Sequence, residues 1–387
     1  MFKMAVGHSD DIDPEDAARA IIEQCQEALG GVTPTAAVLF SAFDSEVEPV
    51  LRAVREAFPD IELIGSTSSA EMSSVLGYQE DSVTLAVFAT DSVDITGGVA
   101  TDIYSDVGVA AHTAVEQARA KTDKEPRLCI VTPSVGGDTR ALLGALREVL
   151  GEDVSILGGG ASPQSNRMAA GESFQFFGER VLQGAAPLLL FSGPLTFSFG
   201  VDTGWRPIGP RGRVTRAAAG GTVHEIDGEP ALAFYQRYLG EGFLPAFANP
   251  LAVFEDGAES FYLRAPTWHD PESGIIRVSG SLPEGAEVQL TMAATDEIFD
   301  GARSALSQAI GRFPGREPDA ALIFSCAIRK HLLGTRTGTE YDITHDMLGA
   351  AVPICGFYSF GEIAPFDAGG EIRFHNATLV ALLLGAD

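Results

Sequence analysis

A chain of 387 residues, 45% hydrophobic and 20% charged, has the make-up of a globular protein of two or three domains and not of a disordered or fibrous one. Its 53 acidic and 26 basic side chains give a net charge of −27, a field that repels phosphate backbones and so excludes sequence-independent nucleic-acid binding. The longest apolar runs, around Ala185–Phe191 and Leu379–Leu384, fall far short of the roughly 18 residues of a membrane span, so no membrane insertion is expected.

The start of the chain turns acidic at Asp10 and Asp11 without an apolar stretch, which predicts no signal peptide. Cys25, Cys129, Cys326 and Cys355 are scattered and form no C-x-x-C pair. They read as reduced thiols of a cytoplasmic protein.

In chain order, Asp13-Pro14-Glu15 predicts a capped helix, with Ala17, Ala18, Ile21, Ile22, Cys25 and Leu29 on one face. Ala36–Ser41, a helix over Val47–Phe58 and Ile61–Gly65 then read as a β-α-β unit. A strand over Ser82–Ala89 and a helix over Val107–Ala120 follow. The β-α-β unit recurs in Leu128–Thr132, a helix carrying Leu142, Leu143, Leu146 and Val149, and Val154–Gly158, and a strand follows at Pro187–Phe191.

The segment Gly200–Arg213, rich in Gly, Pro and Arg, predicts turns between strands. Asp227-Gly-Glu-Pro230 predicts the cap of another helix, and a domain boundary is placed near 225. A helix over Gly301–Gly311 precedes the third unit: Ala320–Ser325, a polar excursion through Gly338, a helix over Asp342–Ala351 and Val352–Gly356. A last strand spans Ala377–Leu384. The expected fold is therefore α/β, a two-domain mixed-sheet architecture of repeated β-α-β units, with two units in 1–225 and the third in 226–387.

The repetition continues into the turn after each unit. Gly65-Ser-Thr-Ser68-Ser-Ala-Glu71 matches Gly356-Phe-Tyr-Ser359-Phe-Gly-Glu362, while Gly158-Gly-Gly-Ala-Ser-Pro-Gln164 keeps the spacing and replaces the acid. Carboxyl ends of strands border ligand crevices in α/β sheets, so Ser325, Cys326 and Arg329 after one strand, and Phe357, Tyr358, Ser359 and Glu362 at another, are placed at one candidate site with Asn376. The Arg329 guanidinium would fork onto a carboxylate and Glu362 would accept from an ammonium, which suits a zwitterion such as an amino acid. The competing structural reading pairs Arg329 and Glu362 with one another or with backbone, packs Phe357 and Tyr358 in the core, and gives Asn376 to a turn.

Ser66, Thr67, Ser68 and Glu71 form a secondary candidate, or else a helix cap closed by Glu71. The glycines at 158–160 lack the spacing of a phosphate loop, and no histidine pair has zinc-site spacing. Cys326, beside Arg329 and with His375 later in the chain, has the elements of a thiolate nucleophile and base.

These residues also resemble the FIST family, the F-box and intracellular signal transduction proteins. The resemblance is carried by Val6-Gly-His-Ser9, Ile64–Glu71, Phe324-Ser-Cys-Ala-Ile-Arg329, Gly356–Pro365 and His375-Asn-Ala-Thr378, and extends over an N-terminal FIST domain at about 30–225 and a C-terminal one at about 226–370. It implies a non-enzymatic sensory protein that binds a small molecule, with amino acids suggested, and signals through a separate partner such as a histidine kinase. Some relatives are haem-binding nitric oxide sensors; a single axial histidine suffices for haem, and His331 or His375 would supply it here. A cysteine-dependent enzyme is the third reading.

Overall fold

Three runs that are apolar but for Ser41 and Ser325 and show no alternation, Ala36–Ala42, Leu128–Val131 and Ala320–Cys326, cannot turn one face to water, and each is buried along its length. The computed structural model describes residues 1–42, 46–136, 138–163, 172–254 and 260–386, and places these runs inside three six-stranded sheets of one plan.

Module one comprises β1 (Phe2–Ser9), α1 (Pro14–Leu29), β2 (Ala36–Ala42), α2 (Val47–Ala57), β3 (Glu62–Ser68), a hairpin of β4 (Glu71–Ser73) and β5 (Gly77–Gln79), and β6 (Val83–Thr90). Module two repeats it with β7 (Asp94–Ala100), α3 (Val107–Arg119), β8 (Pro126–Val131), α4 (Thr139–Leu150), β9 (Ser155–Gly159), the hairpin β10 (Gln175–Phe177) and β11 (Arg180–Leu182), and β12 (Ala186–Ser192).

Module three opens with β13 (Leu195–Asp202) and then carries an insert: β14 (Arg206–Ala218), β15 (Thr222–Ile226), β16 (Glu229–Pro230), α5 (Ala231–Leu239), β17 (Leu251–Phe254), β18 (Tyr262–Arg264), β19 (Pro266–His269), β20 (Ile276–Val278) and β21 (Glu287–Met292). It resumes with α6 (Thr295–Arg312), β22 (Ala320–Cys326), α7 (Ala327–Leu333), α8 (Gly338–Leu348), β23 (Ile354–Ser359), the hairpin β24 (Glu362–Pro365) and β25 (Ile372–His375), and β26 (Leu379–Ala386).

In every module one parallel pair, β2–β3, β8–β9 or β22–β23, forms the β-α-β unit, and a later antiparallel strand, β6, β12 or β26, lies between it and the module's first strand. The hairpins are exchanged in a cycle. β4–β5 joins module three beside β23, β24–β25 joins module two beside β9, and β10–β11 joins module one beside β3. The expected boundary at 225 falls within β15, and two of these exchanges cross it. The insert forms a fourth, eight-stranded sheet.

Amphipathic helices cover the outer faces, while the inner faces of the three sheets meet in one core containing Phe40, Phe88, Phe191, Phe324 and Phe357. Backbone hydrogen bonds close the cycle where the strands end: Ser69 N–H donates to Tyr358 O (3.0 Å), Ser162 N–H to Thr67 O (2.9 Å) and Phe360 N–H to Gly160 O (2.9 Å). These three donors hold equivalent places in the three repeated turns.

Several local expectations shift. Gly200–Arg213 is largely strand, because Gly200 lies within β13 and β14 absorbs Gly209 and Pro210 at a register break between Ile208 and Gly212. The helix expected after Asp227 begins at Ala231, since the Asp227 carboxylate accepts from Arg213 N–H (2.8 Å) instead of capping. The excursion before Gly338 contains α7, and α8 starts and stops before the expected 342–351, ending at Gly349 with φ of 81°. No helix follows Ser66–Glu71; the turn runs into β4.

Gly65, Gly158 and Gly356 hold one structural position, opposite Leu39, Val131 and Ile323 in the parallel pairs. A β-carbon there would lie 1.9, 1.9 and 2.5 Å from those residues' carbonyl oxygens. Gly65→Ala is expected to destabilise by about 3 kcal/mol, the upper end for overpacking, as read by urea denaturation. Gly144→Ala, inside α4 with no atom within 4 Å of the added carbon, is expected to be neutral or stabilising by up to about 1 kcal/mol. Equal losses in the two variants would show that carbonyl approach is not what requires glycine.

Candidate functional site

The two repeated acids are buried at the points where hairpins leave their modules. Glu71 accepts from the hydroxyls of Ser68 and Ser82, and Ser82 Oγ lies 2.9 Å from His8 Nε2, whose Nδ1 meets Ser73 Oγ at 2.8 Å. Glu362 accepts from Ser359 Oγ (2.8 Å), Thr378 Oγ1 (2.7 Å) and Thr378 N–H (3.2 Å). Burial raises each carboxyl to about 7 despite these donors, and burial lowers His8 to about 4. Each knot ties a departing hairpin to hydroxyls of its own module. The matching Gln164 of module two lies outside the described residues.

Arg329 does not face a ligand. Its side chain is fully buried, and Nε and Nη2 donate to Glu340 Oε1 at 2.8 and 2.5 Å. Nη1 reaches Thr203 O (2.5 Å) and Nη2 also reaches Ile298 O (2.9 Å). The other Glu340 oxygen accepts from Ser325 Oγ (2.9 Å) and Tyr358 OH (2.8 Å). The expected Arg329 and Glu362 pair around a zwitterion is therefore replaced by a closed Arg329–Glu340 knot that engages Ser325 and Tyr358 from two strands. Glu340 was not among the sequence candidates; Thr337-x-x-Glu340 was its one local signal, and Thr337 lies just before the helix.

The remaining candidates are buried among other protein groups. Phe357 stacks on Phe40 with ring centres 4.0 Å apart. Asn376 Oδ1 accepts from Ala265 N–H (3.0 Å), tying the turn before β26 to the insert. Thr67 Oγ1 accepts from Phe174 N–H (3.0 Å), while Ser66 Oγ is buried without a partner among the described residues. Cys326 is buried, and burial followed by the nearby Glu362 pushes its thiol well above the ordinary range, which disfavours the thiolate that a nucleophile needs.

His375 is buried, with Nε2 2.9 Å from Ala364 O and its ring against Phe366, and burial lowers it to about 4. His331 is exposed beside Phe247. Among the described cavities neither ring shares a wall with another candidate ligand, and among the described residues no cluster of three His, Cys, Asp or Glu is arranged to hold a metal.

Space for a ligand lies elsewhere. A cavity of about 620 Å³ opens between Val135, Gly136 and Asp138–Arg140 of module two, Phe360 of module three, and the insert at Ala217–Gly220 and Val278–Glu284. An annex of about 30 Å³ shares its wall at Thr139, Arg140, Gly280 and Ser281 and reaches Tyr262, Arg264, Glu371 and Arg373. Its position was illegible in the sequence because the insert and module two meet only in the fold. Arg140 lies in the first turn of α4, the helix that follows strand β8 of a β-α-β unit, as Arg329 lies in the helix that follows β22.

The fold and this cavity define a mixed α/β protein of three hairpin-exchanging modules with a pocket under an inserted sheet. The chain belongs to the FIST family: the FIST N domain matches residues 35–229 and the FIST C domain residues 231–365. Such domains generally serve signal transduction as sensory modules.

Among curated relatives, an uncharacterized protein of Mycobacterium tuberculosis is 29% identical over 188 residues, 46% of this chain and 47% of that protein. One of Mycobacterium bovis is 27% identical over 190 residues, 46% of this chain and 48% of its own. The match thus spans about half the length of these relatives. Among solved structures, a cyanuric acid hydrolase from A. caulinodans is similar over 100% of this chain and 99% of its own, with 9% identity and a TM-score of 0.40. PurL of T. maritima, complexed with ATP, is similar over 99% of this chain and 71% of its own, with 11% identity and a TM-score of 0.24. No helix among the described residues is long and apolar enough to cross a membrane.

Proposed function

We propose that this chain is a non-catalytic, cytoplasmic sensory module. A small ligand occupies the 620 Å³ cavity, and its binding biases contact with a separate signalling protein such as a histidine kinase. The observation that carries this reading is the two-sided wall: one side belongs to the module ring, the other to the inserted sheet. A ligand touching both shifts their arrangement by its differential affinity for the alternatives. Amino acids are the class to test first, because Arg140 supplies a cation and Asp138 and Glu284 supply anions around one chamber.

Thermal-shift screening of amino acids and related metabolites is the test. A true ligand at 100 times its Kd adds about 2.7 kcal/mol of stability. Ala217→Trp, which fills the chamber from the insert side, is expected to abolish the shift while Arg329→Lys at the buried knot leaves the ligand's effect in place. The proposal falls if no compound in a broad panel stabilises the protein, or if Ala217→Trp responds as the parent does.

A further inference from the structure

The annex departs from the charge of the rest of the chain. Against a net charge of −27, its wall holds the guanidiniums of Arg140, Arg264 and Arg373 and the single carboxylate of Glu371. Arg264 and Arg373 both lie against the Tyr262 ring, their guanidinium carbons 4.2 and 5.0 Å from its centre. Arg264 is locked in place: Nε donates to Ser281 O (2.8 Å) and Nη1 to Leu263 O and Phe374 O (2.9 Å each). Arg373 is oriented by Glu371 at 2.8 Å. Arg140 is exposed and makes no hydrogen bond or ion pair among the described residues, so its fork stands ready for a ligand. Ser281 Oγ, buried and without a partner among the described residues, adds a hydroxyl on the wall common to annex and chamber.

We infer that the ligand carries a carboxylate or phosphate group, seated in the annex against Arg140 and Arg373, with the remainder of the molecule in the chamber. This rests on the reading of the chamber as the ligand site. The annex has room for one or two water-sized groups, which suits an anionic head and not a side chain or ring. A planar guanidinium pairs its parallel N–H groups with two oxygens of such a head, and partial burial spares the contact from full screening.

Calorimetric titration at low salt with succinate, with its neutral isostere succinamide and with inorganic phosphate tests the inference. Succinate is expected to bind and succinamide not, and phosphate binding in place of succinate would assign the head as phosphate. Arg140→Ala is expected to weaken anion binding about tenfold or more, with partial recovery in Arg140→Lys. Arg140 is exposed, so an unchanged melting curve confirms that its variants fold.

Equal binding of succinamide, no heat with either anion, or anion binding indifferent to both Arg140→Ala and Arg373→Ala would overturn the inference. Ala217→Trp separates the two readings. An uncharged compound excluded by Ala217→Trp but indifferent to Arg140→Ala keeps the chamber and removes the anion head. Anion binding lost in Arg140→Ala yet untouched by Ala217→Trp keeps the annex and removes the chamber.

Discussion

Arg329→Met is expected to cost about 3–5 kcal/mol of stability, because it leaves the Glu340 carboxylate buried without its cation. The loss extends beyond one ion pair. Thr203 O and Ile298 O also lose their donor, so the turn after β13 and the first turns of α6 are released together from β22 and β23. Adding Glu340→Leu to Arg329→Met removes the stranded charge and is expected to restore part of the loss, although Ser325 Oγ and Tyr358 OH then lack their acceptor. Urea midpoints of the four species form a double-mutant cycle. A loss below about 1 kcal/mol in the single variant would contradict a dry, closed knot.

Replacing Glu71 and Glu362 together by glutamine is expected to change how stability responds to pH. Each folded-state carboxyl is raised by burial to about 7 from an ordinary value of 4.5, so between these values the native state holds protons that the unfolded chain has released. The resulting stabilisation is complete below pH 4.5 and is lost as pH rises through 7. Each unit corresponds to about 1.4 kcal/mol, so each glutamate withdraws about 3–4 kcal/mol over that window.

His8 and His375 act in the opposite sense, since burial lowers both to about 4 from 6.5 and the unfolded chain binds protons first as pH falls. The two effects nearly cancel between 4.5 and 6.5. Relative to the parent, the double glutamine variant therefore gains stability as pH rises from 4.5 to 7, by about 7 kcal/mol at most for the two shifts together. Chemical denaturation across that range gives the difference curve directly. A flat difference would mean that the two carboxyls titrate normally in the fold.

Arg329 in the first prediction and Glu71 and Glu362 in the second are side chains that the sequence singled out, whereas Glu340 is not. Three β-α-β units were legible because a buried strand and an amphipathic helix leave short-range patterns. Ala36–Phe40 is an unbroken apolar run, and Val47, Val50, Leu51 and Val54 recur at helical spacing; both became the elements expected. The repeated turns were legible by their glycine, serine and glutamate. What they bind was not, because Ser82 and Thr378, the hydroxyls that receive Glu71 and Glu362, lie 11 and 16 residues further on.

By itself, then, the sequence determined the repeated unit, the family and the acidity of the surface, all of which follow from local pattern and composition. The tertiary structure decided which sheet each hairpin of three- or four-residue strands joins, since so short a strand carries too little pattern to choose a neighbour and is placed by long-range pairing. It also decided which arginine is available. Arg329 and Arg140 both follow a β-α-β strand, but Arg329 meets Glu340 in a dry knot, whereas Arg140 opens on a cavity that exists only because the insert folds back over module two.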